Sequence, residues 1–139
     1  MSSLVLDFSA VLACLHRESG FEAIVPLLLG ATPSAVNVAE VAGKLADRGV
    51  TEIEKLMASL PVDVVAFDED LAFRVAALRT ATREAGLSLG DRACLATAER
   101  LGVPAVTTDR AWAELTIGVE VRVIRRATRI RRRSRSRIM

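Results

Sequence analysis

Paired cysteines, clustered histidines and long apolar runs are all missing from this sequence. Cys14 and Cys94 are lone thiols, and His16 is the single histidine. That excludes the common zinc motifs and a CxxC redox pair. The cysteines are expected to be reduced, buried small residues, and His16 a surface or packing residue of the first helix. No apolar run approaches the roughly 20 residues that a membrane-spanning helix requires. No GxxxxGK[ST] motif occurs, so a P-loop nucleotide enzyme is excluded at motif level. The N-terminus has neither the basic region nor the cleavage site of a signal peptide, which makes a cytoplasmic protein with no membrane association the expectation. Lysine is scarce too: Lys44 and Lys55 are the only two.

What is present is a chain of 139 residues, 51% hydrophobic and 26% charged, enough for one ordered domain with a real core. The net charge of +2 hides an asymmetry. Residues 125–139, "RRATRIRRRSRSRIM", hold eight arginines and no acidic residue, which leaves 11 basic against 17 acidic residues in the body, a net −6. The expected organisation is a folded domain over 1–124 and an arginine-rich, disordered tail over 125–139. The other role open to that tail is gripping nucleic-acid phosphates.

Short apolar runs alternate with helical patterns. Strands are expected at 3–7, 62–67, 103–108 and 119–124, with a weaker fifth at 32–36 that contains Pro33. Helices are expected at 10–18, 20–29, 38–48, 52–59, 69–85, 89–101 and 111–115. Gly49, Gly86 and Gly102 stand just past three of them, where helix ends favour glycine. Alternating strands and helices imply a three-layer α/β fold with a parallel sheet covered on both faces.

In such a sheet, ligands bind beyond the carboxyl ends of the strands. Asp7 ends the first strand there, in "LVLDFSA", and Asp109 follows another in "VPAVTTDRAW". A helix crossing back runs antiparallel to the strands, so its first turn lies at the same edge. Asn37-x-x-Glu40 and Ser88-x-x-Asp91 each resemble a helix start, which sends Glu40 and Asp91 to that rim. Four carboxylates far apart in sequence are thus directed to one edge.

Each has an ordinary explanation. Glu40 and Asp91 fit the acidic partners of capping boxes, as does Glu54 of Thr51-x-x-Glu54, which carries no hint of chemistry. Asp109 fits a cap for the short helix that follows it. Asp7 resists that explanation, because it follows a buried strand and Ser9 is the better cap for the next helix. Trp112 reads as packing, although an exposed indole also stacks on bases. Ser9, Thr107 and Thr108 adjoin the carboxylates and suit water or phosphate as well as turns and caps.

Taken as a set, four carboxylates repel one another and need a counter-charge, and neither lysine lies near a strand end. Hard oxygen donors without cysteine or histidine favour Mg²⁺ or Mn²⁺ over zinc. Such a site activates water and stabilises in-line displacement at phosphorus, so phosphodiester hydrolysis is the chemistry suggested.

"LVLDFSAVLACLHRESG", "SAVNVAEVAGKL", "GLSLGDRACLATAERLGVPAVTTDRAW" and "VEVRVI" together resemble a PIN domain, and most closely the bacterial VapC toxins, over residues 3–124. The resemblance implies a five-stranded parallel sheet flanked by helices and a homodimer. It implies an Mg²⁺-dependent endoribonuclease whose acidic quartet falls on Asp7, Glu40, Asp91 and Asp109. Asp7 and Asp91 would be the main metal ligands, with Glu40 and Asp109 completing the pocket, partly through water. Ser9, Thr107 and Thr108 match positions that are commonly small and polar. A small antitoxin that wraps the toxin is the implied partner, with RNA as substrate.

Two other readings share most of these features: a PIN nuclease of RNA processing or repair without an antitoxin, and a non-catalytic RNA-binding module. The acidic body speaks against the second unless the tail does the binding. A phospho-accepting receiver is set aside, for it needs an early acidic pair and a lysine after its last strand.

Overall fold

The computed structural model describes residues 4–15 and 31–124. His16, the helix expected at 20–29 and the arginine tail lie outside the described residues.

Three strands, β1 (Val5–Leu6), β2 (Ala105–Thr107) and β3 (Val121–Val123), form a parallel sheet in the order β1-β2-β3. Val5 sits opposite Ala105 and Leu6 opposite Val106, while Val106 faces Arg122 on the other side. The other two expected strands are reduced to single parallel bridges, Leu4 with Ala31 and Ser34 with Val65. They still extend the sheet beyond β1, since Thr32 N donates to Leu4 O at 2.9 Å and Val65 N donates to Pro33 O at 2.8 Å. On the Val65 side Pro33 explains the shortfall. Its carbonyl accepts on the side facing Val65, but it has no N–H to return, so no continuous ladder forms.

The helices are α1 (Phe8–Leu15), α2 (Ala35–Asp47), α3 (Ile53–Ala58), α4 (Glu69–Ala81) and α5 (Leu89–Leu101), with 3₁₀ turns at Arg83–Ala85 and Arg110–Glu114. Successive strand residues point to opposite faces, and the core divides accordingly. Val5 and Ala105 pack with Leu71, Val75 and Leu78 of α4 and with Ala93, Leu95, Ala96 and Ala98 of α5. Leu4, Leu6 and Val106 pack with Ala10 and Val11 of α1 and with Val41 and Leu45 of α2. The three-layer α/β arrangement follows. The alanines of α5 leave little side chain between the helix and Val5 and Ala105 of the sheet.

Several expected starts and stops shift. Helix α2 begins at Ala35, because Ser34 caps it by accepting from Val36 N at 3.1 Å. Asn37 therefore lies inside the helix, and Glu40 stands a turn further in than the Asn37-x-x-Glu40 pattern suggests. No box forms at Thr51: Glu52 is the N-cap residue, left-handed at φ 53°, with no side-chain cap. Asp7 takes the capping place expected for Ser9, since its Oδ1 accepts from Ala10 N at 3.0 Å. The helix expected over 69–85 stops at Ala81, where the Thr82 hydroxyl donates to Leu78 O at 2.6 Å. The segment expected as helix 111–115 is a 3₁₀ turn that buries Trp112 to 1% exposure, which removes the base-stacking alternative. Gly49, Gly86 and Gly102 all have positive φ, the conformation their places past helix ends require.

Candidate functional site

Helix α5 matches its expected limits, and its start fixes one corner of the site. Ser88 Oγ accepts from Asp91 N at 3.1 Å, and Asp91 Oδ2 accepts from Ser88 N at 3.0 Å, a complete capping box. The ordinary reading of Asp91 therefore holds. It does not exhaust the residue, because the Asp91 charge also acts on Asp7 and Glu40.

Asp7 leaves β1 at its carboxyl end and is only 4% exposed. Three donors hold its carboxylate: Ser9 Oγ at 2.6 Å and Ala10 N at 3.0 Å on Oδ1, and Thr107 Oγ1 at 2.5 Å on Oδ2. Burial raises its pKa above 3.8 and outweighs these hydrogen bonds, and the nearby Asp91 adds to the rise. A carboxylate fully dressed with donors and still costly to ionise suits a positive charge beside it, and no described residue pairs with it as one.

Glu40 reaches the same place from α2. Its Oε1 accepts from Asn37 Nδ2 at 3.0 Å, and that amide also donates to Gly90 O at 3.0 Å. One buried asparagine thus ties the Glu40 carboxylate to the first turn of α5. Gly90 makes the approach feasible, since a Cβ built there would collide with the Glu40 carboxylate. Burial raises the pKa of Glu40 first, Asn37 lowers it, and the charges of Asp91 and Asp7 raise it further. Beneath all three lies Cys94, fully buried; burial pushes its thiol up, and Asp7, Asp91 and Glu40 push it in the same direction.

Asp109 stands apart. It is exposed and caps the turn after β2, with Oδ1 accepting from Ala111 N at 3.0 Å. It does not figure among the charges acting on Asp7, Glu40 or Cys94. Its link to the others is Thr107, whose hydroxyl accepts from Asp109 N at 3.0 Å while donating to Asp7. Ser9 and Thr107 spend their hydroxyls on Asp7, and Thr108 backs Ser9 at 2.8 Å.

Among the described residues, Asp7, Glu40 and Asp91 make no ion pair, and no three His, Cys, Asp or Glu side chains converge into a ready metal cage. The donors nonetheless fit Mg²⁺ in kind. It is held by one or two carboxylates, with waters and substrate phosphate completing the shell, rather than by an all-protein cage. The buried Asn37 Oδ1 has no partner, a spare hard acceptor beside Glu40. Asn37 and Gly90 were not legible as site residues. Asn37 passed for a cap, and a glycine just inside a helix and beside Asp91 was the available signal for the other.

Residues 4–118 match the family model described as PIN domain, and the chain belongs to that family. Solved structures with the same fold include a toxin–antitoxin complex from Klebsiella pneumoniae (21% identity, TM-score 0.64, covering 84% of this chain and 98% of that one). A VapBC-5 toxin–antitoxin structure from Mycobacterium tuberculosis is similar at 25% identity and TM-score 0.61, over 90% and 99% of the two chains. DNA-bound VapBC from Salmonella typhimurium has 15% identity and TM-score 0.67, over 88% and 98%. No curated protein sequence matches the chain. No helix among the described residues is long and apolar enough to cross a membrane.

Proposed function

We propose that this PIN domain is an Mg²⁺-dependent endoribonuclease and the toxic half of a toxin–antitoxin pair. One observation carries the reading: Asp7, almost fully buried at the carboxyl edge of β1, has its ionisation opposed by burial and by Asp91, and it makes no ion pair with any described residue. The likeness to toxin–antitoxin complexes supports the biological role and a small antitoxin as partner.

In this reading Asp7 and Asp91 hold Mg²⁺, or Mn²⁺ in its place, and Glu40 and Asp109 complete the acidic pocket through water. When bound, the ion would lower the pKa of water and offset the charge developing at phosphorus. The residues of the chain supply geometry. Ser9, Ala10 and Thr107 fix the Asp7 carboxylate in one orientation, and Thr108 steadies Ser9. The capping box fixes Asp91, and Asn37 fixes Glu40 against Gly90. Such fixed carboxylates need little reorganisation at the moment of reaction. The active form is a homodimer in the cytoplasm, and the domain ends near residue 124.

The test is to incubate the protein with structured RNAs, with and without Mg²⁺, and map the cut ends. Attack by water gives 5′-phosphate and 3′-hydroxyl ends. Ends carrying 2′,3′-cyclic phosphate would mean attack by the RNA's own 2′-hydroxyl and would overturn the proposal.

A further inference from the structure

Three of the described arginines have acidic partners: Arg74 pairs with Glu99, Arg100 with Asp68 and Arg122 with Glu120. Arg79 and Arg83 are exposed and make no ion pair with any described residue. These two line a single open cleft between the end of α4 and the start of α5, together with Thr82, Gly86, Leu87 and Arg92. No carboxylate lines it. Arg92 is held in place, since its Nη1 donates to Val75 O at 3.0 Å, yet its buried Nε has no partner.

The location gives the cleft meaning. Its walls include Leu87 and Arg92, which bracket the Ser88–Asp91 capping box in sequence. Arg92 follows Asp91 directly, so their Cα atoms are about 3.8 Å apart. The cleft therefore lies along the first turn of α5, the turn that also carries Asp91. An anionic polymer approaching a body of net −6 is repelled, most strongly at the carboxylates themselves. A phosphodiester chain needs a cationic hold beside them, and guanidinium forks match phosphate oxygens.

We infer that Arg79, Arg83 and Arg92 form a phosphate subsite that grips the backbone of single-stranded RNA one or more nucleotides from the bond cut at the acidic site. The subsite rests on the nuclease reading for its substrate, but it makes a separate demand: these arginines contribute to RNA affinity and not to the chemical step.

The experiment measures binding of the full chain to a labelled, mixed-sequence single-stranded RNA in excess EDTA, across a salt series. The test variant is Arg79→Gln/Arg83→Gln, which leaves the anchored Arg92 untouched. Its control is Arg74→Gln/Arg100→Gln, which removes the same charge from arginines that already have partners. The expected result is weaker binding by the test variant, with the slope of log affinity against log salt shallower by about 0.7 for each phosphate no longer gripped. The control should stay near wild type. With Mg²⁺ added, the test variant should raise KM and leave kcat unchanged. Equal effects of both double variants would reduce the subsite to net charge and overturn it, as would no change in slope. Loss of binding to a polyglutamate peptide with unchanged RNA binding would also overturn it, in favour of an acidic protein partner. Should the double variant fail to fold, the single changes Arg79→Gln and Arg83→Gln carry the same test. RNA that is bound through these arginines but never cut would sink the nuclease and leave the subsite standing. RNA that is cut with no help from them would do the reverse.

Discussion

The Thr107 hydroxyl donates to Asp7 Oδ2 at 2.5 Å, joining residues 100 positions apart across two neighbouring parallel strands. The same hydroxyl accepts from Asp109 N, so one oxygen orders both aspartates that end strands at this edge. Thr107→Val keeps the shape and removes that oxygen. With a buried carboxylate and a backbone N–H each losing a partner, the expected loss of stability is about 1–3 kcal/mol. The pKa of Asp7 should rise further, and the pH profile of cleavage should move upward. Thr107→Ser should restore both. A Thr107→Val protein with wild-type melting temperature and pH profile would show that the contact orders nothing.

Burial makes Asp7 and Glu40 hold their protons more tightly folded than unfolded. Between the ordinary value of 3.8 for Asp7 and its raised folded value, the folded state binds more protons, so stability falls as pH rises through that window and is level above it. Asp68 acts oppositely but only lower down, because Arg100 and the Leu71 N–H hold it at about 2. Denaturant unfolding of the metal-free protein should therefore give higher stability at mildly acidic pH than at neutral pH. Asp7→Asn should flatten that slope. A slope that is absent in wild type, or unchanged in Asp7→Asn, would contradict the burial argument.

At Asp91 the cap and the charge can be separated. Asp91→Asn keeps an oxygen for Ser88 N and loses the charge that opposes ionisation of Asp7 and Glu40. Without metal it should be as stable as wild type or more so, while Mg²⁺ should no longer raise its melting temperature. Ser88→Ala should cost about 1 kcal/mol and keep the response to Mg²⁺. An Asp91→Asn protein that is less stable yet still stabilised by Mg²⁺ would leave the residue a cap alone.

Gly90→Ala tests the seat of Glu40. Alanine is the better helix former by about 1 kcal/mol, but its Cβ would occupy the place of the Glu40 carboxylate, the movable end of a side chain. The melting temperature should change little while Glu40 swings away and Mg²⁺ affinity and cleavage both drop. Full activity in Gly90→Ala would show that the position of Glu40 is not critical.

How much of this was legible in the sequence depended on how local each signal is. Helix α5 was readable to the residue because Ser88 and Gly102 bracket it and both act on their own helix. Asp7 was conspicuous because a carboxylate follows a buried strand there, although its local role as the cap of α1, expected of Ser9, was not read. Asn37 misled because its spacing to Glu40 imitates a cap, whereas Ser34 was already the better one. Its real partner, Gly90 O, lies 53 residues away, beyond the reach of any local pattern. The segment at 62–67 reads as a full strand because apolar alternation does not count N–H groups, whereas Pro33 already marks its neighbour at 32–36 as weaker. Asp109 was legible as a cap for the short helix after it, and its carboxylate does turn to Ala111 N.

The most direct test of the central claim is single-turnover cleavage of RNA by wild type and by Asp7→Asn, each in Mg²⁺ and in excess EDTA. Wild type should cut only with Mg²⁺ and recover when the ion is restored, and Asp7→Asn should be nearly inactive even at high Mg²⁺. Undiminished cleavage by wild type in EDTA, or full activity of Asp7→Asn, would contradict the assignment of the chemistry to a cation held at Asp7.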